Sequence, residues 1–361
     1  MKIGILTFHR AINYGAVLQC YALFQTLHMK GHEVEVIDYR PEYIEKYRTL
    51  FIFSKTQNPI VFCKNLLRSA LLFNERKKAI RNFDDFISKI DTSPVVKNAD
   101  DIAALKYDLI ICGSDQIWNR RITNNKYDLF YWGQFEHPNT KIASYAASYG
   151  TVNSSSDVEN MLKKMLNRID AIGVREKDFA NYLKILGLDA HVCVDPTILA
   201  NQQIFYDLVE KPTDDNYILV YALKEREKVV LWAKKIQEKN GLKIVVLGGN
   251  VSIKTYYGIN VKVIQGVSPK LYLGYFKKAK IVVNTSFHGT VFSTLFRKDF
   301  YSLDVDNSGR YKQYLDAVGL SDRFVKFDDT PSLRSIDYSE FEDRKMKLVK
   351  ESELYINQLG I

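Results

Sequence analysis

A chain of 361 residues is too long for one hydrophobic core and suits two domains. Hydrophobic residues make up 46% and charged residues 26%, enough to build cores. No run reaches the roughly 18 apolar residues of a spanning helix, which excludes an ordinary helical membrane protein. The net charge of +9 is concentrated between Lys46 and Arg81, where nine basic residues stand against one acid, Glu75. No recognition-helix or RNA-binding signature accompanies that charge, so nucleic acid is not an expected partner.

In chain order, Lys2–Phe8 reads as a buried strand. Its apolar stretch of about five residues is too short for the core of a signal peptide. Ala16–Met29 follows as a helix, with Val17, Leu18, Tyr21, Leu23, Phe24 and Leu27 on its apolar side and Gly31 where a C-cap glycine belongs. Glu33–Asp38 is a second strand. A basic helical insertion at about 41–105 comes next, with LFIF, IVF and LLRSALLF interleaved among its charges. Such a segment either packs on its own domain with a solvated basic face or lies on the inner, anionic membrane surface. Asp108–Cys112, Lys141–Ala146, Ala171–Val174 and His191–Val194 are short apolar runs suited to a parallel sheet covered on both faces.

The polar KPTDDN stretch at 211–216 divides a domain over 1–210 from one over 211–361. The second runs through a strand at Tyr217–Tyr221, a helix at Glu227–Lys239 and a strand at Lys243–Leu247. A helix at Pro269–Lys278 opens with Ser268 as N-cap and Pro269 at its first position. Then come the strand Ile281–Asn284, a helix after His288, the strand Phe300–Leu303 and a charged helix over Tyr338–Leu359. The buried positions expected on that last helix are Phe341, Leu348 and Leu354 or Tyr355. The fold class is therefore α/β, with two doubly wound Rossmann-like domains facing a cleft. Cys20, Cys63, Cys112 and Cys193 show no CxxC spacing and read as reduced core thiols of a cytoplasmic protein.

In open parallel sheets ligands bind at the carboxyl ends of strands, so the strand-to-helix junctions are the candidate sites. TFHRAINYGAVLQ brings Asn13, Tyr14 and Gly15 to a helix N-terminus that favours an anion, or forms an ordinary turn. LIICGSDQIWN offers Ser114 and Asp115; Asp115 is either a helix N-cap or an acid, base or hydroxyl ligand. SYAASYG contributes Ser148. Arg175, in GVREKD, either grips a carboxylate or phosphate with its planar fork or pairs with Asp178 or Asp195. VLGGN and VDNSGRYKQYL, with Arg310, are further junctions. The most telling is NTSFHGTVFSTLF, where Ser286, Phe287, His288, Gly289 and Thr290 place a titratable ring at a helix start. No histidine has a metal-ligand spacing, so no metal site is expected. There is no GxSxG, P-loop, HExxH or GxGxxG.

Taken together, NYGAVLQCYAL, DLIICGSDQIWN, SYAASYG, GVREKDF, VDPTIL and SPKLYLGYFKKAKIVVNTSFHGTVFSTLF resemble the polysaccharide pyruvyl transferase family, in its order, over roughly residues 1–320. The resemblance implies a two-domain fold of the GT-B type. It also implies transfer of a pyruvyl group from phosphoenolpyruvate to two hydroxyls of a saccharide, lipid-linked or free, to form a cyclic ketal in cell-surface or exopolysaccharide synthesis. No cofactor is implied beyond phosphoenolpyruvate as donor. His288 and Asp115 become the catalytic candidates. Asn13, Tyr14, Gly15, Ser114, Ser148, Arg175, Ser286, Phe287, Gly289, Thr290 and Arg310 become the substrate-binding ones. Family members often carry arginine before the Phe-His or Leu-His pair; here Ser286 stands there, so one anion contact is missing or comes from elsewhere. The alternatives are a GT-B glycosyltransferase with a nucleotide-sugar donor and a non-catalytic protein that binds a sugar or lipid carrier.

Overall fold

The computed structural model describes residues 1–50, 66–67, 69–136, 139–152, 155–248, 255–256, 258–305 and 310–361, without the side chains of 255, 256 and 310. These residues form two compact units. Unit 1 comprises Met1–Glu45, Ile87–Ile204 and Glu342–Ile361; unit 2 comprises Lys46–Phe86 and Phe205–Phe341.

Unit 1 holds a seven-stranded sheet of β1 (Lys2–Leu6), β2 (Glu33–Tyr39), β3 (Thr92–Val96), β4 (Leu109–Cys112), β5 (Lys141–Ala147), β6 (Ala171–Val174) and β7 (His191–Val192). Their order is β3-β2-β1-β4-β5-β6-β7 and every pair is parallel. Unit 2 holds β8 (Tyr217–Tyr221), β9 (Lys243–Leu247), a two-stranded antiparallel hairpin of β10 (Thr255–Tyr256) and β11 (Ile259–Asn260), then β12 (Lys262–Ile264), β13 (Ile281–Asn284), β14 (Asp299–Leu303) and β15 (Phe324–Val325). The main sheet is parallel in the order β12-β9-β8-β13-β14-β15. All four residues of β4 and all five of β8 are buried, as continuous apolar runs require when helices cover both faces. Strand order reverses between β1 and β4 in unit 1 and between β8 and β13 in unit 2. Those are the topological switch points at which doubly wound sheets open a crevice for ligands.

The domain boundaries read from sequence need two corrections. The terminal helix, Phe341–Gln358, belongs with the first sheet rather than with residues 211–340. Tyr355, Ile356 and Leu359 are buried in the unit 1 core, and the Tyr355 hydroxyl donates to the Ser144 carbonyl at 2.7 Å. Val194 N donates to Ser352 Oγ at 2.9 Å. Of the alternatives at 354 and 355, Tyr355 is the buried one and Leu354 is exposed. The basic insertion is also divided. Residues 46–86 group with unit 2, where Asn82 Nδ2 donates to Gly266 O at 2.6 Å. Residues 87–105 return to unit 1 and include β3, a strand not expected from TSPVV. Its proline is tolerated because β3 lies on the sheet edge.

Of the membrane-surface reading of Lys46–Arg81, residues 51–65 and 68, with Lys55, Lys64 and Arg68, lie outside the described residues. Among the described residues no helix is long and apolar enough to cross a membrane. Cys20, Cys112 and Cys193 are buried and free, and burial pushes the Cys112 and Cys193 thiols up to about 12. They are therefore weak nucleophiles; Cys63 lies outside the described residues.

Candidate active site

In unit 1 the switch point is built from the ends of β1 and β4. Thr7 Oγ1 donates to Ser114 O at 3.0 Å, and Gln19 Nε2 donates to Thr7 Oγ1 at 3.0 Å, tying helix Tyr14–Met29 to both strands. His9 is 2% exposed, with Nε2 at 3.0 Å from Asp38 Oδ1. Burial pushes the Asp38 carboxyl up, but hydrogen bonds from His9 and Arg40 outweigh it and hold it well below the usual carboxylate range. Asn13 is the N-cap, its Oδ1 accepting from Gly15 N at 2.9 Å and Ala16 N at 3.3 Å. The helix thus starts at Tyr14, ahead of the expected Ala16, and part of the hydrogen-bonding capacity offered to a substrate is used locally.

The loop after β4 is shaped by close backbone approach. Gly113 has φ +127°, and a Cβ there would lie 2.3 Å from Tyr145 O. Asp115 starts no helix, so its N-cap reading is overturned. It has φ +72° and bridges to Ala147 in parallel, and its Oδ1 accepts from its neighbour Gln116 N at 2.8 Å. Its side chain is half-buried and stays a candidate for proton transfer.

Beside it the ends of β4 to β7 meet in a buried polar network. Arg175, with only 6% of its side chain exposed, donates from Nη1 to Asp195 Oδ2 at 2.9 Å and from Nε to Glu176 Oε1 at 3.4 Å. Ser148 Oγ donates to the same Glu176 oxygen at 2.6 Å, and Ser114 Oγ reaches Asp195 Oδ2 at 3.4 Å. Asp195 also caps the one-turn helix Pro196–Leu199 through Thr197. Burial acts against the Arg175 charge, yet the carboxylates of Glu176, Asp195 and Asp115 outweigh it and raise its pKa. Of the two readings of Arg175, the structure shows the ion pair with Asp195. Ser114 and Ser148 serve this network with their hydroxyls.

In unit 2 the ends of β8 and β13 carry the histidine block. Ser286 is the N-cap of helix Phe287–Leu295, its Oγ accepting from Gly289 N at 3.3 Å. The helix therefore begins one residue before His288 rather than after it. His288 occupies the second helical position, 8% exposed, with its ring 5.2 Å from that of Phe287. Two neighbours expected to face a ligand face the protein. A Cβ on Gly289 would meet Asn284 Oδ1 at 3.0 Å and Tyr221 Cδ1 at 3.1 Å. Thr290 is fully buried, bonded to Asn284 Oδ1 at 3.2 Å, Ser286 O at 3.0 Å and Ser302 Oγ at 2.7 Å. Leu223 N donates to Thr285 Oγ1 at 3.1 Å and locks the end of β8 to that of β13. Among the described residues no three His, Cys, Asp or Glu side chains gather as metal ligands.

Residues 13–307 match the polysaccharide pyruvyl transferase family. The chain belongs to that family. Membership places it among transferases, and the matched span contains the GSDQIW and SFHG blocks whose geometry has just been given. No curated protein matches the sequence significantly. Among solved structures, a putative UDP-N-acetylglucosamine 2-epimerase from Listeria monocytogenes is similar, at 15% identity and TM-score 0.50, over 99% of this chain and 88% of that one. A UDP co-structure of S. aureus MnaA is similar at 13% identity and TM-score 0.51, over 98% and 89%. The glycosyltransferase SnogD from Streptomyces nogalater gives 11% identity and TM-score 0.46, over 100% and 99%. At the identities of the first two the likeness is one of fold, and with its two parallel-sheet α/β units the fold is GT-B-like.

In this pyruvyl transferase family member the structure also shows what sequence reasoning passed over. Arg226, beyond the end of β8, stands in the charged run KEREK and just outside the helix expected from Glu227. The usable signal was its place: five residues beyond a fully apolar strand, at the first position of helix Arg226–Asn240. Glu176, buried beside Arg175, was passed over for the same reason. Of the remaining junctions, Gly248 is described and has φ +84°, whereas 249 and 250 of VLGGN lie outside the described residues. Arg310 opens helix Arg310–Ala317, and its side chain lies outside them too.

Proposed function

We propose that the chain transfers a pyruvyl group from phosphoenolpyruvate to two hydroxyls of a saccharide, releasing phosphate and leaving a cyclic ketal. The observation that carries this reading is His288: a buried imidazole in the first turn of a helix, at the switch point of unit 2, within the family match. The donor is an anion, and a helix N-terminus favours one. The reaction needs a proton delivered to the donor's methylene carbon, which makes the adjoining carbon oxocarbenium-like. One sugar hydroxyl adds to that carbon, phosphate leaves, and the second hydroxyl closes the ring. Of the two hydroxyl protons released, one is balanced by the new methyl group and the other by the departing phosphate. His288 is assigned the proton transfer to the donor. Asp115 in unit 1 is assigned the withdrawal of a proton from a sugar hydroxyl.

Calorimetric titration tests the donor. Phosphoenolpyruvate should bind saturably, with an affinity that falls as salt rises, as charge-dominated sites do. One structural neighbour was solved with UDP, so UDP-N-acetylglucosamine is the comparison ligand. Saturable binding of the nucleotide sugar with none of phosphoenolpyruvate would reject pyruvyl transfer in favour of glycosyl transfer.

A further inference from the structure

We propose that Arg226 forms a phosphate-binding subsite at the carboxyl ends of β8 and β9. Among the described residues Arg10 pairs with Glu45, Arg40 with Asp38, Arg48 with Asp84, Arg168 with Glu136, Arg175 with Asp195 and Arg323 with Asp322. Arg226 has no carboxylate partner among the described residues. Its Nη2 donates to Ala222 O at 3.1 Å, and its Nε is buried without a hydrogen bond. The adjacent acid, Glu225, is engaged by Lys228 at 2.7 Å. A guanidinium has five donors, and leaving a buried one unmet is costly unless a ligand meets it.

The surroundings suit a phosphate ester. A Cβ built on Gly248 would lie 3.8 Å from Arg226 Nη2, so the glycine leaves the backbone at the end of β9 close to the guanidinium and unobstructed. The bond from Leu223 N to Thr285 Oγ1 fixes this segment to the start of the His288 helix. The carboxyl end of β8, one of the two strands that flank the switch point of unit 2, therefore carries a fork-shaped cation with no carboxylate partner among the described residues, the geometry that recognises phosphate oxygens. This subsite deepens the donor reading, since phosphoenolpyruvate supplies such a group; a nucleoside diphosphate supplies the same chemistry.

The test is calorimetric titration of the full chain with inorganic phosphate, phosphoenolpyruvate and UDP, in wild type, Arg226→Gln and Arg226→Lys, with thermal melting as the fold control. Arg226→Gln should weaken phosphoenolpyruvate and inorganic phosphate by about 10- to 100-fold, the worth of a charged hydrogen-bond pair, with unchanged melting. Arg226→Lys keeps the charge without the fork and should fall between. Wild-type affinity for phosphoenolpyruvate in Arg226→Gln overturns the subsite and leaves the donor reading intact. Binding of UDP alone, weakened in Arg226→Gln, keeps the subsite and removes the donor reading. Binding of none of the three by wild type removes both. Should Arg226→Gln melt early, the lysine variant decides, because full affinity in it excludes recognition by the fork.

Discussion

His288→Asn should keep the fold and most donor binding, yet lower turnover by about 10²- to 10⁴-fold, the usual worth of a general acid–base. The expectation follows from how the helix start is built. Its cap is the Ser286 hydroxyl on Gly289 N, and its base is the Asn284–Thr290–Ser302 network, none of which uses the imidazole. Asparagine retains a polar side chain at the second helical position and lacks the ionisable imidazole. The readout is kcat against phosphoenolpyruvate affinity. A variant with near-normal turnover would make His288 a packing residue. A variant that loses donor binding and turnover together would make it a ligand rather than a proton carrier.

Arg175→Ala should act mainly on stability. The guanidinium is the cation between Asp195, fully buried, and Glu176, nearly so. Removing it leaves two buried carboxylates without their cation, and breaking a buried pair in this way costs about 3–5 kcal/mol. Arg175→Lys should recover part of that loss, since one ammonium cannot reproduce the fork that reaches both acids. Urea unfolding measures the effect. An unchanged unfolding midpoint combined with abolished turnover would contradict the structural role and return Arg175 to the substrate.

Much of the fold was legible because strands buried on both faces read as continuous apolar runs. LIIC, AIGV, YILVY, KIVVL and IVVN were all found within a residue of their observed ends. Ser268 and Pro269 marked their helix start for a local reason, hydrogen bonding and a preset φ, and local reasons survive folding. What was not legible depends on distant partners. Tyr355 is aromatic on a charged helix, and nothing near it in sequence shows that its hydroxyl meets Ser144 in the first sheet. β3 escaped because a proline in five residues looks like a loop unless an edge position excuses it. The site divides in the same way. The His288 block was readable as a titratable ring at a helix start. Gly289 and Thr290 looked like ligand contacts, and only the packing against Tyr221, Asn284 and Ser302 shows that they face the protein. Arg226 stands in the charged run KEREK, and only the structure shows that its Nε is buried without a hydrogen bond.

The most direct test of pyruvyl transfer is phosphate release from phosphoenolpyruvate by the full chain across a panel of saccharide acceptors, with mass spectrometry of each acceptor. The account predicts phosphate release that requires an acceptor, matched by that acceptor gaining one pyruvyl ketal, and absent in His288→Asn. Acceptors left unmodified by phosphoenolpyruvate but glycosylated when a nucleotide sugar replaces it would contradict the account.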